Sequence, residues 1–153
     1  MSFTVVSGKV TGLDKDTLLR KFNLESGGMV QQFIDKTVID LSIPYCPFET
    51  GLLANSPYTA SDIGSGLVVY PGPYARYLYF GEVYGPNIPI FDDNSGEPVG
   101  WFSPPGQKKH PTGRELEYDQ SLNPLAGSHW VERMLADRKD DIVEGARKIA
   151  GVK

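Results

Sequence analysis

The stretch Tyr74-Ala75-Arg76-Tyr77-Leu78-Tyr79-Phe80-Gly81 decides how the chain is read. Tyr74, Tyr77 and Leu78 stand three and four positions apart, the spacing of one helical face. Gly81 suits the position just past a helix end, where the backbone turns left-handed. A strand is the alternative, because Tyr and Phe also favour sheets. Just upstream, Gly66-Leu67-Val68-Val69-Tyr70 predicts a strand, stopped by Pro71-Gly72-Pro73.

Further upstream, Glu49 to Ile63 mixes Thr, Gly, Ser, Asn and Asp with Leu52, Leu53 and Tyr58. It predicts a turn at Thr50-Gly51 followed by an extended segment. Pro44 and Pro47 close a helical region, since proline lacks the amide hydrogen and pushes its predecessor towards extended geometry. Within that region Leu18, Phe22, Met29, Val30, Phe33, Ile34, Val38 and Leu41 fall mostly three, four or seven apart, which lines one helix face. Asp14 can cap its start. Gly27-Gly28 interrupts it at ~1 kcal/mol per glycine, so a bend or break is expected there. Phe3 to Val10 is short and β-branched and predicts a strand.

Downstream, Val83 to Leu125 changes character. It holds Pro86, Pro89, Pro98, Pro104, Pro105, Pro111 and Pro124, out of 12 prolines in the chain. So long a loop without structure is uncommon in a compact domain and is usually functional or disordered. Trp101-Phe102 argues against disorder, whose composition is poor in aromatics. An arm over about 83–122 is expected, irregular or a hairpin, ordered best against a partner. The clearest helix follows. Ser128 can cap it, and Val131, Leu135, Ile142, Ala146 and Ile149 line one stripe at steps of four, seven, four and three. Mixed charges occupy its other faces, Arg147 and Lys148 suit the negative end of its dipole, and Gly151 ends it.

With 153 residues and 40% hydrophobic content, one domain (1–153) with a real core is the expectation. The formal net charge of -4 disfavours a free-standing duplex-binding domain. The lone Cys46 permits no intrachain disulfide and suits a reducing cytoplasm. The start lacks the basic and apolar regions of a signal peptide, and no apolar run approaches the ~20 residues that span a bilayer. Neither standard secretion nor membrane insertion is expected.

No catalytic constellation stands out. A thiol nucleophile would need Cys46 with His110 or His129, but Tyr45-Cys46-Pro47 looks like an apolar turn around a small buried side chain. Two histidines and one cysteine do not supply a regular zinc set. Asp92-Asp93-Asn94-Ser95-Gly96-Glu97 is rich in oxygen ligands, yet the twelfth position of a calcium loop would be Ser103, so a simple turn is expected. Phosphate-binding loops are absent from the sequence, and no pair of carboxylates is singled out for glycosidase chemistry. No catalytic residue, metal or cofactor is expected. Lys108-Lys109-His110, with Arg114 nearby, is the one basic cluster, a phosphate or acidic-partner contact set against a solvated loop tip. Tyr74, Tyr77, Tyr79, Phe80 and Tyr84 form the densest aromatic run, with Arg76 inside it. Core packing and a subunit interface both suit such a run, whereas Trp101-Phe102 on the arm favours an interface.

Three phrases carry a resemblance when taken together. Thr50-Gly51-Leu52-Leu53 follows the first helical region, Pro73 to Gly81 follows a strand, and Asn123-Pro124-Leu125-Ala126-Gly127-Ser128-His129-Trp130 announces the closing helix. In this order they resemble the tail-completion or neck proteins of long-tailed bacteriophages, often labelled minor capsid proteins. Lys108-Lys109-His110-Pro111-Thr112-Gly113-Arg114 is similar to the branch from phages of Gram-positive bacteria. The resemblance covers about Leu13 to Ala150 and departs from the family pattern in the long arm. It implies an α+β fold, with a small antiparallel sheet packed against an N-terminal helical segment and a C-terminal helix. It also implies a virion protein at the head–tail junction, assembled in the host cytoplasm into a homo-oligomeric ring, a hexamer first. Such a ring would meet a head-side connector or stopper on one face and a tail terminator or tail tube on the other. DNA would pass through the bore without specific binding. The interface residues expected are Tyr74, Arg76, Tyr77, Phe80, Tyr84, Trp101, Phe102, Lys108, Lys109 and Arg114. Rival readings are a stopper or tail terminator, a non-phage adaptor, and a small lysis enzyme, for which no convergent titratable set is present.

Overall fold

The computed structural model describes residues 14–152, and the strand expected over Phe3–Val10 lies outside them. The fold is α+β. In chain order it comprises α1 (Lys15–Lys21), α2 (Met29–Ser42), a 3-10 turn (Ile43–Tyr45), α3 (Leu52–Asn55), α4 (Pro57–Ala60) and α5 (Pro73–Phe80). Strands β1 (Glu82–Gly85), β2 (Ile88–Phe91), β3 (Pro98–Phe102) and β4 (His110–Glu115) follow, and α6 (Trp130–Ala150) closes the chain.

The break at Gly27-Gly28 separates α1 from α2. Gly27 has φ +83, and a side chain on Gly28 would meet the Asn23 carbonyl, so two helices meet here. The amides of Val30 and Gln31 turn back to the Asn23 carbonyl and hold the corner. Asp14 sits at the start of α1 but makes no side-chain cap. Helix α2 ends where Pro44 enters the 3-10 turn.

The core lies between α2 and α6. Val30 and Ile39 of α2 are buried, as are Tyr45, Cys46, Trp130, Met134 and Ile142. Gly145 lets the two helices approach, since a Cβ there would fall 2.4 Å from the Phe33 ring. The stripe expected on α6 is displaced. Trp130 and Met134 lie deepest, Val131 and Leu135 are half-buried, and Ile149 is exposed. Asn123 donates to the carbonyls of Ile43 (2.8 Å) and Cys46 (3.1 Å), and so clips the approach to α6 onto the end of α2.

Three further expectations are corrected. After the turn at Gly51 (φ 76) the chain forms α3 and α4, not an extended segment. The Asn55 amide closes a helical turn on the Gly51 carbonyl, and Pro57 starts α4 where its missing hydrogen costs nothing. Gly66–Tyr70 joins no sheet among the described residues. Its amides go to side chains: Gly66 to Asp35 (3.0 Å), Leu67 to Ser65 (3.2 Å) and Val69 to Ser61 (2.9 Å). The residue at the start of α6 is His129, not Ser128. His129 takes φ 48 and ψ 42, gives its amide to the Tyr79 carbonyl, and accepts the Arg133 amide in the first turn.

Asp35, 3% exposed, is the polar centre of this half. It accepts from the amides of Gly64 and Gly66 and from Gln31 Nε2. Asp35→Ala leaves all three donors without an acceptor and should cost about 2–4 kcal/mol. Urea unfolding will show it as a fall in midpoint, with Asp35→Asn losing less because one oxygen remains.

The arm is a nested ribbon. β1 pairs antiparallel with β4, setting Glu82 opposite Glu115 and Tyr84 opposite Pro111. Further out, β2 pairs antiparallel with β3, setting Ile88 opposite Phe102 and Pro89 opposite Trp101. The hairpin end is the turn expected at Asn94-Ser95-Gly96. The Gly96 amide bonds to the Asp92 carbonyl and the Asp92 amide to Glu97, each at 2.9 Å. The strands of the described chain all lie in this ribbon.

Candidate assembly surfaces

Helix α5 forms as its spacing predicts, and Gly81 ends it with φ 71 and ψ 28. Proline supplies its first residue, where φ is already set. The aromatic run then divides by face. Tyr79 turns inward and stands edge-on to Trp130 at 4.6 Å, while Tyr70 meets the same indole at 5.3 Å. Tyr77 and Tyr84 pack on each other at 4.5 Å, half-buried, and join α5 to β1. Tyr74 is 72% exposed and Phe80 56%. Phe80 meets the rings of Tyr79 and His129 edge-on, and Arg76 is exposed nearby. The expected interface set thus separates into an outward trio, Tyr74, Arg76 and Phe80, and a pair that positions the arm.

The root of the arm is tightly held. The Leu116 amide donates to the Gly81 carbonyl at 2.9 Å, and Tyr118 Oη donates to the Leu78 carbonyl at 2.6 Å. Thr112 Oγ1 donates to the Val83 carbonyl at 2.6 Å. Beyond the root the ribbon meets solvent on both faces. Successive strand residues point to opposite sides. Trp101 (59% exposed) and Phe102 (49%) therefore present one large ring on each face. Ile88, Ile90, Phe91 and Val99 are exposed around them. A cluster of this size is unusual on a monomer surface. Lys108, Lys109 and Arg114 are exposed at its flank, and Lys109 Nζ reaches Asn87 Oδ1 at 3.3 Å.

A second surface was not anticipated from the sequence. An open apolar groove of about 1340 Å³ runs between α2, α5, α6, the 66–72 segment and Phe22 and Leu24 just after α1. Its walls include Leu67, Phe80, Val131, Leu135 and Val143, and Arg76, Lys139 and Arg147 also line it. The interleaved apolar and basic positions on α6 were visible, but their convergence with Leu67 and Phe80 is tertiary.

Of the side chains considered for thiol chemistry, His110 is exposed at the start of β4 on the ribbon, apart from the buried Cys46, while His129 is packed against rings. Cys46 is fully buried, and burial pushes its thiol up to about 12, so it is not a thiolate near neutral pH. His129 packs on Tyr79 and Phe80. Among the described residues no three His, Cys, Asp or Glu side chains cluster closely enough to hold a metal ion. Among them, too, no helix is long and apolar enough to cross a membrane. Three tyrosines donate to carboxylates: Tyr45 to Asp137 at 2.8 Å, Tyr58 to Asp40, and Tyr79 to Glu132.

These ties predict an alkaline transition. The hydrogen bond to Asp137, then burial, raises Tyr45 above its ordinary value of 10.0. Burial, then the bond to Asp40, pushes Tyr58 up to about 12. Burial and the bond to Glu132 raise Tyr79. Each group holds its proton longer when folded, so its stabilisation is complete below the unfolded pKa and is lost as pH rises through the folded one. Cys46 begins earlier, its ordinary value being 9.0. Thermal melts should therefore fall from about pH 9 towards 12, and Cys46→Ala should flatten the first part of that decline.

No family model, curated protein or solved structure matches this chain.

Proposed function

We propose that this chain is a structural subunit of the neck of a long-tailed bacteriophage. The observation that carries the reading is the exposed apolar ribbon on a firmly held root. A ribbon with Trp101 and Phe102 outward on opposite faces suits burial against other subunits. Copies form a ring, a hexamer in the first instance, between the portal side and the tail. A connector or stopper meets one face, and a tail terminator or tail tube meets the other. DNA passes through the bore, and a net charge of -4 suits a channel that must not grip it. The function needs binding surfaces and no reacting group. The sequence phrases around Gly51, Gly81 and His129 support the same reading. In the structure they mark a left-handed turn, the end of α5 and the start of α6.

Cryo-electron microscopy of the intact particle is the test. A ring of density between portal and tail that fits α2, α6 and the ribbon is the expected result. Particles whose neck contains no such density overturn the proposal.

A further inference from the structure

The groove and the ribbon are complementary, and within one chain they do not meet. No residue of 82–115 lines the groove. The ribbon offers exposed apolar strands ending in an acidic turn, with Asp92, Asp93 and Glu97. The groove offers an apolar floor flanked by Arg76, Lys139 and Arg147, and the two acids of its lining are engaged within the chain, Glu132 by Tyr79 and Asp35 by Gln31, Gly64 and Gly66. Among the described residues none of these three cations has an ion-pair partner, and neither have the three acids of the turn. Three unpaired bases beside an apolar trough thus face a matching demand from three acids at the tip of an apolar ribbon.

We propose that the β2–β3 ribbon of one copy docks in the groove of a second copy, its acidic turn against Arg76, Lys139 and Arg147. This rests on the reading of the arm as an assembly element, and it names the surface that receives it. The contact joins two different surfaces, so each copy gives one ribbon and receives one. Such a head-to-tail contact closes into a ring when its rotation permits. The floor that receives the ribbon includes Leu67 (64% exposed) and Phe80 (56%), both uncovered in the single chain.

The test uses purified full-length protein with photoreactive p-benzoylphenylalanine in place of Val99, an exposed ribbon residue whose replacement spares both rings. Light and nitrogen-15 copies are mixed, irradiated at high concentration and mapped by mass spectrometry. The expected products join light to heavy chains, from position 99 to peptides of α6 or of 67–80. Reversing the turn's two other acids (Asp93→Lys, Glu97→Lys), with Asp92 kept because its carboxylate accepts the Asn94 amide and Ser95 Oγ and holds the turn, should cut the yield at least about fivefold. Adding Arg76→Glu, Lys139→Glu and Arg147→Glu should restore it. All five substituted positions are exposed, and circular dichroism will show that the fold is kept. Cross-links confined to one chain, to residues 1–13 or to another surface overturn the proposal, as do an absence of cross-links and a failure of the double reversal to restore the yield. The neck reading fails separately. A neck ring without ribbon-to-groove cross-links removes this pairing alone, whereas cross-links in a protein absent from the particle keep the pairing and remove the neck.

Discussion

Trp130→Ala should destabilise the subunit by about 3–5 kcal/mol, the range for truncating a fully buried Trp. Trp130 has no exposure, receives Tyr70 and Tyr79 edge-on, and starts the helix that closes the core. Its removal leaves a void beside the rings of Tyr70 and Tyr79. It also frees two tyrosine rings that lean on the indole. For a domain of this size the melting temperature should fall by roughly 10–15 °C. Trp130→Phe should recover more than half of that loss, because a ring remains for Tyr79 to meet. Urea unfolding followed by circular dichroism measures both. A loss under about 1 kcal/mol for the alanine variant would mean that the core is centred elsewhere.

The opposite outcome is expected on the arm. Trp101→Ala with Phe102→Ala should leave the isolated subunit's melting temperature within about 2 °C, since both rings are exposed. Association should weaken severely. Two interface hot spots at about 2 kcal/mol each correspond to roughly a thousandfold in affinity. Sedimentation of mixed subunits, or incorporation into particles, measures this. An equal loss of thermal stability in the lone subunit would return both rings to the intrachain core.

The contrast between these two tryptophans shows which parts of the fold the sequence discloses. Helices α2, α5 and α6 are legible because their apolar spacing and their glycine ends at positions 81 and 151 are local signals. The division at Gly27-Gly28 is local as well. Gly66–Tyr70 misleads because its strand propensity is real, but its amides are taken by Ser61, Ser65 and Asp35. Two of those three acceptors lie five or more positions away, beyond any local pattern. The ribbon is obscured for a different reason. Pro89 and Pro98 argue against a central strand, yet in a two-stranded ribbon every strand is an edge, and an edge tolerates a missing donor. Of the expected interface residues, Tyr77 and Tyr84 differ from the rest because they find each other across a helix-to-strand corner that sequence spacing does not reveal. The groove is illegible for the same reason, since its walls come from α2, α5, α6, the 66–72 segment and the residues just after α1.

Gly81 links these features mechanically. Its positive φ and its lack of a side chain let α5 turn into the ribbon, and a Cβ there would press within 3.0 Å of both Ser128 and Tyr118. At strand rise the residues from Glu82 to Phe91 could carry the tip at most roughly 30 Å from that point. A tilt of only about 10° at the root would swing the tip by roughly 5 Å, the spacing of one neighbouring strand. The joint is therefore a lever with a high gear ratio, stiffened by the entry to α6. The aim of each copy's arm, and with it the diameter to which a ring could close, is set at a residue far along the chain from that arm's own tip.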